Sequence, residues 1–115
     1  MDIITIRVAS IDQVDRQALA AVAGDKSQQG SFYTFQTQER MREVLTPNRL
    51  KLLEMMVGAG PMSIREAASR LERDVSAVHA DVQTLLNCGV LDKAGDRIVF
   101  PYDAMRIEAT VVPAG

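Results

Sequence analysis

Three helix starts follow one another closely in the middle of the chain, and their order limits the folds open to it. Thr46-Pro47 sets a side-chain oxygen at an N-cap and a proline at the first helical position, where its missing N–H is no loss. Leu50, Leu53 and Val57 then recur at i, i+3, i+7, with Leu52 and Met56 widening the stripe, until Gly58-Ala59-Gly60-Pro61 breaks it. Ser63 caps again, with Glu66 in the capping-box position, and Ile64, Ala67, Ala68 and Leu71 form the core face of a short helix. Asp74 caps a third helix, with Val75, Val78, Val82, Leu85 and Leu86 on its inner arc and Gly89 as its stop. The link Glu72-Arg73-Asp74 is of the length that sets one helix across the next, and the paired alanines let the short helix lie close to its neighbours.

The rest reads as strand, apart from two further helical stretches. Val90-Leu91, a turn at Ala94-Gly95-Asp96 and Ile98-Val99-Phe100 predict a hairpin that Pro101 ends. Upstream, Thr37 caps a short segment carrying Met41, Val44 and Leu45. Ile4, Ile6 and Val8 alternate with Thr5 and Arg7 as in a half-buried strand, and Phe32, Tyr33 and Phe35 mark a second strand over Ser31–Gln36. Between these, Ser10, Gln13 and the spacing of Ile11, Val14, Ala18, Ala21 and Val22 predict a helix over Ser10–Val22, with Gly24 as its stop. Met105, Ile107, Ala109 and Val111 alternate in a final strand. The expected class is α+β: a β-α-β extension over 1–37 for dimerisation or partner docking, a winged helix-turn-helix over 38–103, and a C-terminal strand over 104–115.

Composition excludes more than it assigns. A chain of 115 residues with 47% apolar side chains buries enough surface to fold without a disulfide or metal. The single cysteine, Cys88, rules out an internal disulfide and fits a reducing cytosol, so a cytoplasmic location is expected. One His beside one Cys argues against a metal site, and no long apolar run or signal-peptide pattern suggests a membrane. With no Gly-rich phosphate loop and no Ser or Cys beside a plausible base, neither an enzyme nor a cofactor is expected.

Helix, short helix, turn, helix, hairpin is the order of a winged helix-turn-helix, which offers a helix to the DNA major groove and a wing to the adjacent backbone. The segments Leu45–Leu53, Gly60–Leu71, Arg73–Val82 and Leu85–Leu91 resemble the MarR-like winged-helix regulators. Val78-His79-Ala80-Asp81-Val82 and Pro101-Tyr102-Asp103 resemble, more narrowly, a small group of predicted regulators with a V-H-x-D-V helix and a P-x-D after the wing. The resemblance spans about half of the chain. It implies a homodimer that binds double-stranded DNA, represses its own promoter as an antitoxin does, and captures a cognate toxin.

The helical wheel sets Ser76, Ala77, Ala80, Gln83, Thr84 and Asn87 opposite the core arc of the third helix. Of these, Ser76, Ala77, Ala80 and Gln83 are expected to reach bases, Gln83 pairing with adenine and the alanines meeting thymine methyls, with Thr84 on the same arc. Ser63, Arg65, Arg73, Lys93 and Arg97 are the expected phosphate contacts. No arginine stands on the reading face, and the resemblance leads one to expect a charged residue where Ala80 stands. Residues 39–100 hold nine Lys/Arg and nine Asp/Glu, so useful binding would need a two-fold dimer on paired half-sites or a partner that cross-links dimers. The rival is a winged-helix protein-docking module without DNA binding. His79, at the edge of the core arc, is expected to pack or bond backbone, with a phosphate contact as the alternative, Asp81 to pair with a nearby arginine, and Cys88, Met41, Met55, Met56 and Met62 to fill core. The flanking strands are expected either to form one small sheet or to pair with a second chain.

Overall fold

The computed structural model describes residues 2–8 and 31–108. The helix expected over Ser10–Val22, and Ala109 and Val111 of the last strand, lie outside the described residues.

The chain is mixed α+β. Its described elements run β1 (Ile3–Val8), β2 (Ser31–Phe35), α1 (Gln38–Val44), α2 (Pro47–Met56), α3 (Ile64–Leu71), α4 (Val75–Asn87), β3 (Asp92–Ala94), β4 (Arg97–Val99) and β5 (Ala104–Glu108). All four described helices begin on the expected caps: the hydroxyls of Thr37, Thr46 and Ser63 accept from the N–H groups of Arg40, Arg49 and Glu66, and Asp74 accepts from Ser76 and Ala77. Such caps satisfy donors that the helix leaves without partners.

The strands form two sheets. β2, β1 and β5 lie side by side in that order, all parallel, so the helices and the hairpin together form the connection between β2 and β5. β3 and β4 form the hairpin, and a bridge from Met62, just before α3, to Ile98 ties it to the helices through two hydrogen bonds of 2.8 and 2.9 Å. Gly95, at φ +67°, opens the hairpin turn in a conformation other residues adopt only at a cost.

One apolar core joins both parts. Ile4, Ile6 and Phe35 from the parallel sheet are buried with Leu52, Leu53, Met56, Val78, Val82 and Leu85 from the helices and Ile98 and Phe100 from the hairpin. The wall of α2 centres on Leu52, Leu53 and Met56, while Leu50 and Val57 are only partly buried, so the observed stripe is shifted from the expected one. Val90 and Leu91 are buried plugs ahead of β3 rather than hairpin residues.

The sheet is tied to the helices at its ends. The Tyr33 hydroxyl donates to the Cys88 carbonyl at the C-terminus of α4, and Gly58 N–H donates to Tyr102 O at 2.9 Å. Asp103 grips the N-terminus: its carboxylate accepts from Asp2 N–H at 2.8 Å, and its own N–H donates to Asp2 O at 2.7 Å. The final residue of Pro101-Tyr102-Asp103 is thus an anchor for β1.

Candidate nucleic-acid interface

The outer side of α4 follows from its inner one. Val78, Val82 and Leu85 are fully buried, and a helix of 3.6 residues per turn then turns Ser76, Ala77, Ala80 and Gln83 outward, all exposed. Two neighbours join this side against expectation. Val75, the first residue of α4, is 45% exposed although it lies on the core arc of the wheel. His79 is exposed as well, one helical turn from Ser76 and Gln83, instead of packing at the core edge. Thr84 leaves this side: it is half-buried, and its hydroxyl donates to the Ala80 carbonyl at 3.2 Å, a satisfied local bond in place of a group free to read a base.

The turn before α4 is a Schellman closure. Arg73 N–H donates to Ala68 O at 3.0 Å and Glu72 N–H to Ser69 O at 3.2 Å, with Glu72 in the left-handed region at φ 54°. Glycine is the usual residue at this position, and the sequence gives no sign that glutamate takes it.

The Arg73 side chain points inward. Its guanidinium donates to Asp81 Oδ2 at 2.9 Å, while Arg49 Nε donates to Asp81 Oδ1 at 3.1 Å. Arg49 Nη1 also donates to the carbonyls of Glu43 and Val44, both at 3.1 Å, capping the end of α1. The three side chains are only 13–22% exposed, so Asp81 is the hub that fixes α2, the turn and α4 relative to one another. This accords with the expected pairing of Asp81. It gives Arg73, expected at phosphate, a positioning role: the charge next to it draws the guanidinium off the surface.

The remaining expected contacts are spread over α3 and both strands of the hairpin. The Ser63 hydroxyl accepts from Glu66 N–H at 3.1 Å and serves its own helix, whereas Arg65 is exposed and has no ion-pair partner among the described residues. Lys93 and Arg97 are exposed and likewise without ion pairs among the described residues. The hairpin register separates them: Lys93 lies opposite Ile98 and shares its face, while Arg97 lies opposite Ala94 on the other face.

A cleft of 580 Å³, which the sequence does not announce, lies where β2 meets α1 and the end of α4, bordered by Tyr33, Phe35, Thr37, Arg40, Asn87 and Cys88. Its walls come from segments far apart in the chain. Among the described residues no group of His, Cys, Asp and Glu could hold a metal ion, and no helix is long and apolar enough to cross a membrane.

No curated protein and no solved structure matches the chain. The model of the HVO_A0114 family matches residues 44–107, from the last residue of α1 into β5. That span takes in the Asp81 hub, the outer side of α4 and the hairpin, and is more than half of the 115 residues. The chain belongs to the HVO_A0114 family.

Proposed function

We propose that residues 38–103 are a winged helix-turn-helix and that the protein is a cytoplasmic, sequence-specific DNA-binding regulator of MarR-like type. In this reading α2 and α3 support α4 as the recognition helix, β3–β4 is the wing, and two copies bind paired half-sites. The observation that carries it is the outer side of α4: Ser76, Ala77, His79, Ala80 and Gln83 are exposed on a helix whose opposite side is locked by core packing and by Asp81. A helix held this firmly, with small and polar residues outward, suits the major groove. Arg65, Lys93 and Arg97, exposed and without ion pairs among the described residues, would contact phosphates beside it. The antitoxin role, autorepression with capture of a cognate toxin, is the biological form this reading takes.

A second reading draws on the inward turn of Arg73. With Arg49 and Arg73 both held by Asp81 and no arginine on the outer side of α4, the same surface would suit a protein-docking module without DNA binding.

A gel shift with the DNA upstream of the protein's own gene separates the two. The regulator is expected to bind with an affinity that falls about a thousandfold between about 50 and 200 mM salt, as for six phosphate contacts per dimer. Arg65→Ala should weaken binding and flatten that salt dependence, and Gln83→Glu should abolish the shift. Arg73→Ala should weaken binding through the pose of α4. No shift at micromolar protein would overturn the regulator and leave the docking module. A toxin-like gene beside its own would favour the antitoxin role over that of a stand-alone repressor.

A further inference from the structure

β5 lies at the end of the β2-β1-β5 order, so its outer edge has no strand beside it among the described residues. Open edges of this kind recruit further strands unless something blocks them. Ala104 N–H donates to Asp2 O, and alternate residues of a parallel strand turn their backbone groups to opposite sides. Ala104, Arg106 and Glu108 therefore face β1, while Met105 and Ile107 offer N–H and C=O to the open edge. Ile107 is 41% exposed although it lies opposite Ile6, which is fully buried on the same face of the sheet.

We propose that β5 is the seam between two copies of this chain, paired antiparallel about a two-fold axis through Ile107. This register fits the residues at each level. Ile107 meets Ile107 of the second copy as a hydrogen-bonded pair, which supplies both backbone groups and covers the exposed side chain. Arg106 then lies opposite Glu108 of the second copy at a non-hydrogen-bonded pair, where cross-strand side chains approach most closely. The two-fold axis makes the same ion pair twice.

Within one copy, Thr34, Arg7 and Glu108 already form a row across the sheet, with Arg7 Nε donating to Thr34 Oγ1 at 3.2 Å and its guanidinium 3.9 Å from the Phe32 ring centre. In the dimer Glu108 is flanked by Arg7 and by the second copy's Arg106. The product is one six-stranded sheet, in the order β2-β1-β5-β5-β1-β2, with a helical unit at each end. A register shifted to centre on Arg106 would set two arginines against each other, and one centred on Met105 would set Arg106 opposite Ala104, so the Ile107 axis is the one that pairs opposite charges.

The seam deepens the two-fold reading above by naming its interface, yet it is tested without DNA, so either can fail while the other stands. Sedimentation equilibrium should give the full chain a mass of twice 12.6 kDa. Arg106→Glu alone and Glu108→Arg alone each set like charges opposite one another at both pairs. Each should weaken association about thirtyfold.

Mixing the two variants should restore a dimer, because each copy then faces the charge it lacks. A monomer in the unsubstituted chain at high protein concentration would overturn the proposal. So would a dimer indifferent to both substitutions, or variants that stay apart when mixed. The mixing arm also excludes misfolding as the cause of dissociation.

Discussion

From Thr37 to Phe100 each element is specified close to home: every described helix starts on a side-chain oxygen within three residues of the N–H it satisfies, and the hairpin turns on Gly95. The parallel sheet is built the opposite way. β1 finds β2 across 27 residues, and Asp2 meets Asp103 across 101. A parallel pair cannot close through a tight turn, so the sheet forms only when the chain between its strands has already been gathered up. For β1 and β5 that chain includes the whole helical unit. The dependence therefore runs mostly one way: the sheet needs the helices to bring β5 to β1, while the described sheet residues give the helices a core wall of Ile4, Ile6 and Phe35, flanked by Val8, Tyr33 and Met105, and the Tyr33 bond to Cys88.

Breaking the hub at Asp81 should show this dependence most strongly. Asp81→Asn keeps the shape and removes the charge, leaving the part-buried Arg49 and Arg73 guanidinium groups beside one another without the carboxylate that held both. The side chains involved are 13–22% exposed, so the cost is set at about 2–3 kcal/mol, below that of a fully buried pair. Urea denaturation should register it as a fall in midpoint of about 1–2 M. Hydrogen exchange should speed up in β1 and β5 as much as in α4, because the sheet is lost with the unit that closes it. The control is Glu66→Gln, which removes the Arg70 pair at 41–47% exposure and should change stability by less than about 0.5 kcal/mol. Equal effects from the two substitutions would show that Asp81 is not a hub.

Legibility in the sequence follows the same division. The caps at Thr37, Thr46, Ser63 and Asp74 could be read because a cap and its helix are neighbours, and the hairpin because Gly95 marks its turn. The three strands could be found by their alternation, but neither their parallel order nor the central place of β1 is written in any one of them. In the candidate interface the outward set Ser76, Ala77, Ala80 and Gln83 followed from helix periodicity alone. What the wheel could not supply was the partner of each side chain. Arg73 turns in because Asp81, a full two turns along α4, faces back toward it. Thr84 is satisfied by its own helix, and His79 and Val75 are exposed because the surrounding chain leaves them uncovered.

Tyr33→Phe sharpens the comparison from the side of the sheet. The Tyr33 hydroxyl links β2 to the last turn of α4 through the Cys88 carbonyl, so its loss leaves that carbonyl without its side-chain donor at a cost of about 1–2 kcal/mol. Here exchange should quicken in β2 and β1 more than in α3 or α4. Uniform quickening would mean that the two regions open as one. The phenol also carries a pH signature. Burial, then the nearby Cys88 thiol, raise its pKa above the ordinary value of 10.0, while Arg40 opposes them. The folded state therefore favours the neutral phenol. Its contribution is whole below pH 10 and is lost as pH rises through the folded value. Tyr33→Phe should remove that part of the alkaline loss of stability, as followed by thermal melts across the range.

The smallest effect is expected to be a gain, and it lies in the helical unit alone. Every positive-φ residue among the described ones falls between Gly58 and Gly95, and Glu72 is the one that is not glycine. A side chain in the left-handed region costs about 1–2 kcal/mol, because its Cβ crowds the following carbonyl. Glycine removes that crowding but adds freedom to the unfolded chain, returning roughly half the gain. Glu72→Gly should thus stabilise by about 0.5 kcal/mol and raise the melting temperature by about 2–3 °C, with the bonds from Arg73 and Glu72 to Ala68 and Ser69 unchanged. An unchanged or lower melting temperature would mean that the exposed glutamate side chain itself holds the turn between α3 and α4. If the gain appears without loss in the gel shift, the glutamate has no part in setting α4 against its partner. If binding falls as stability rises, the strained turn is what holds α4 at its working angle, and the strain belongs to the function of the helical unit rather than to its folding.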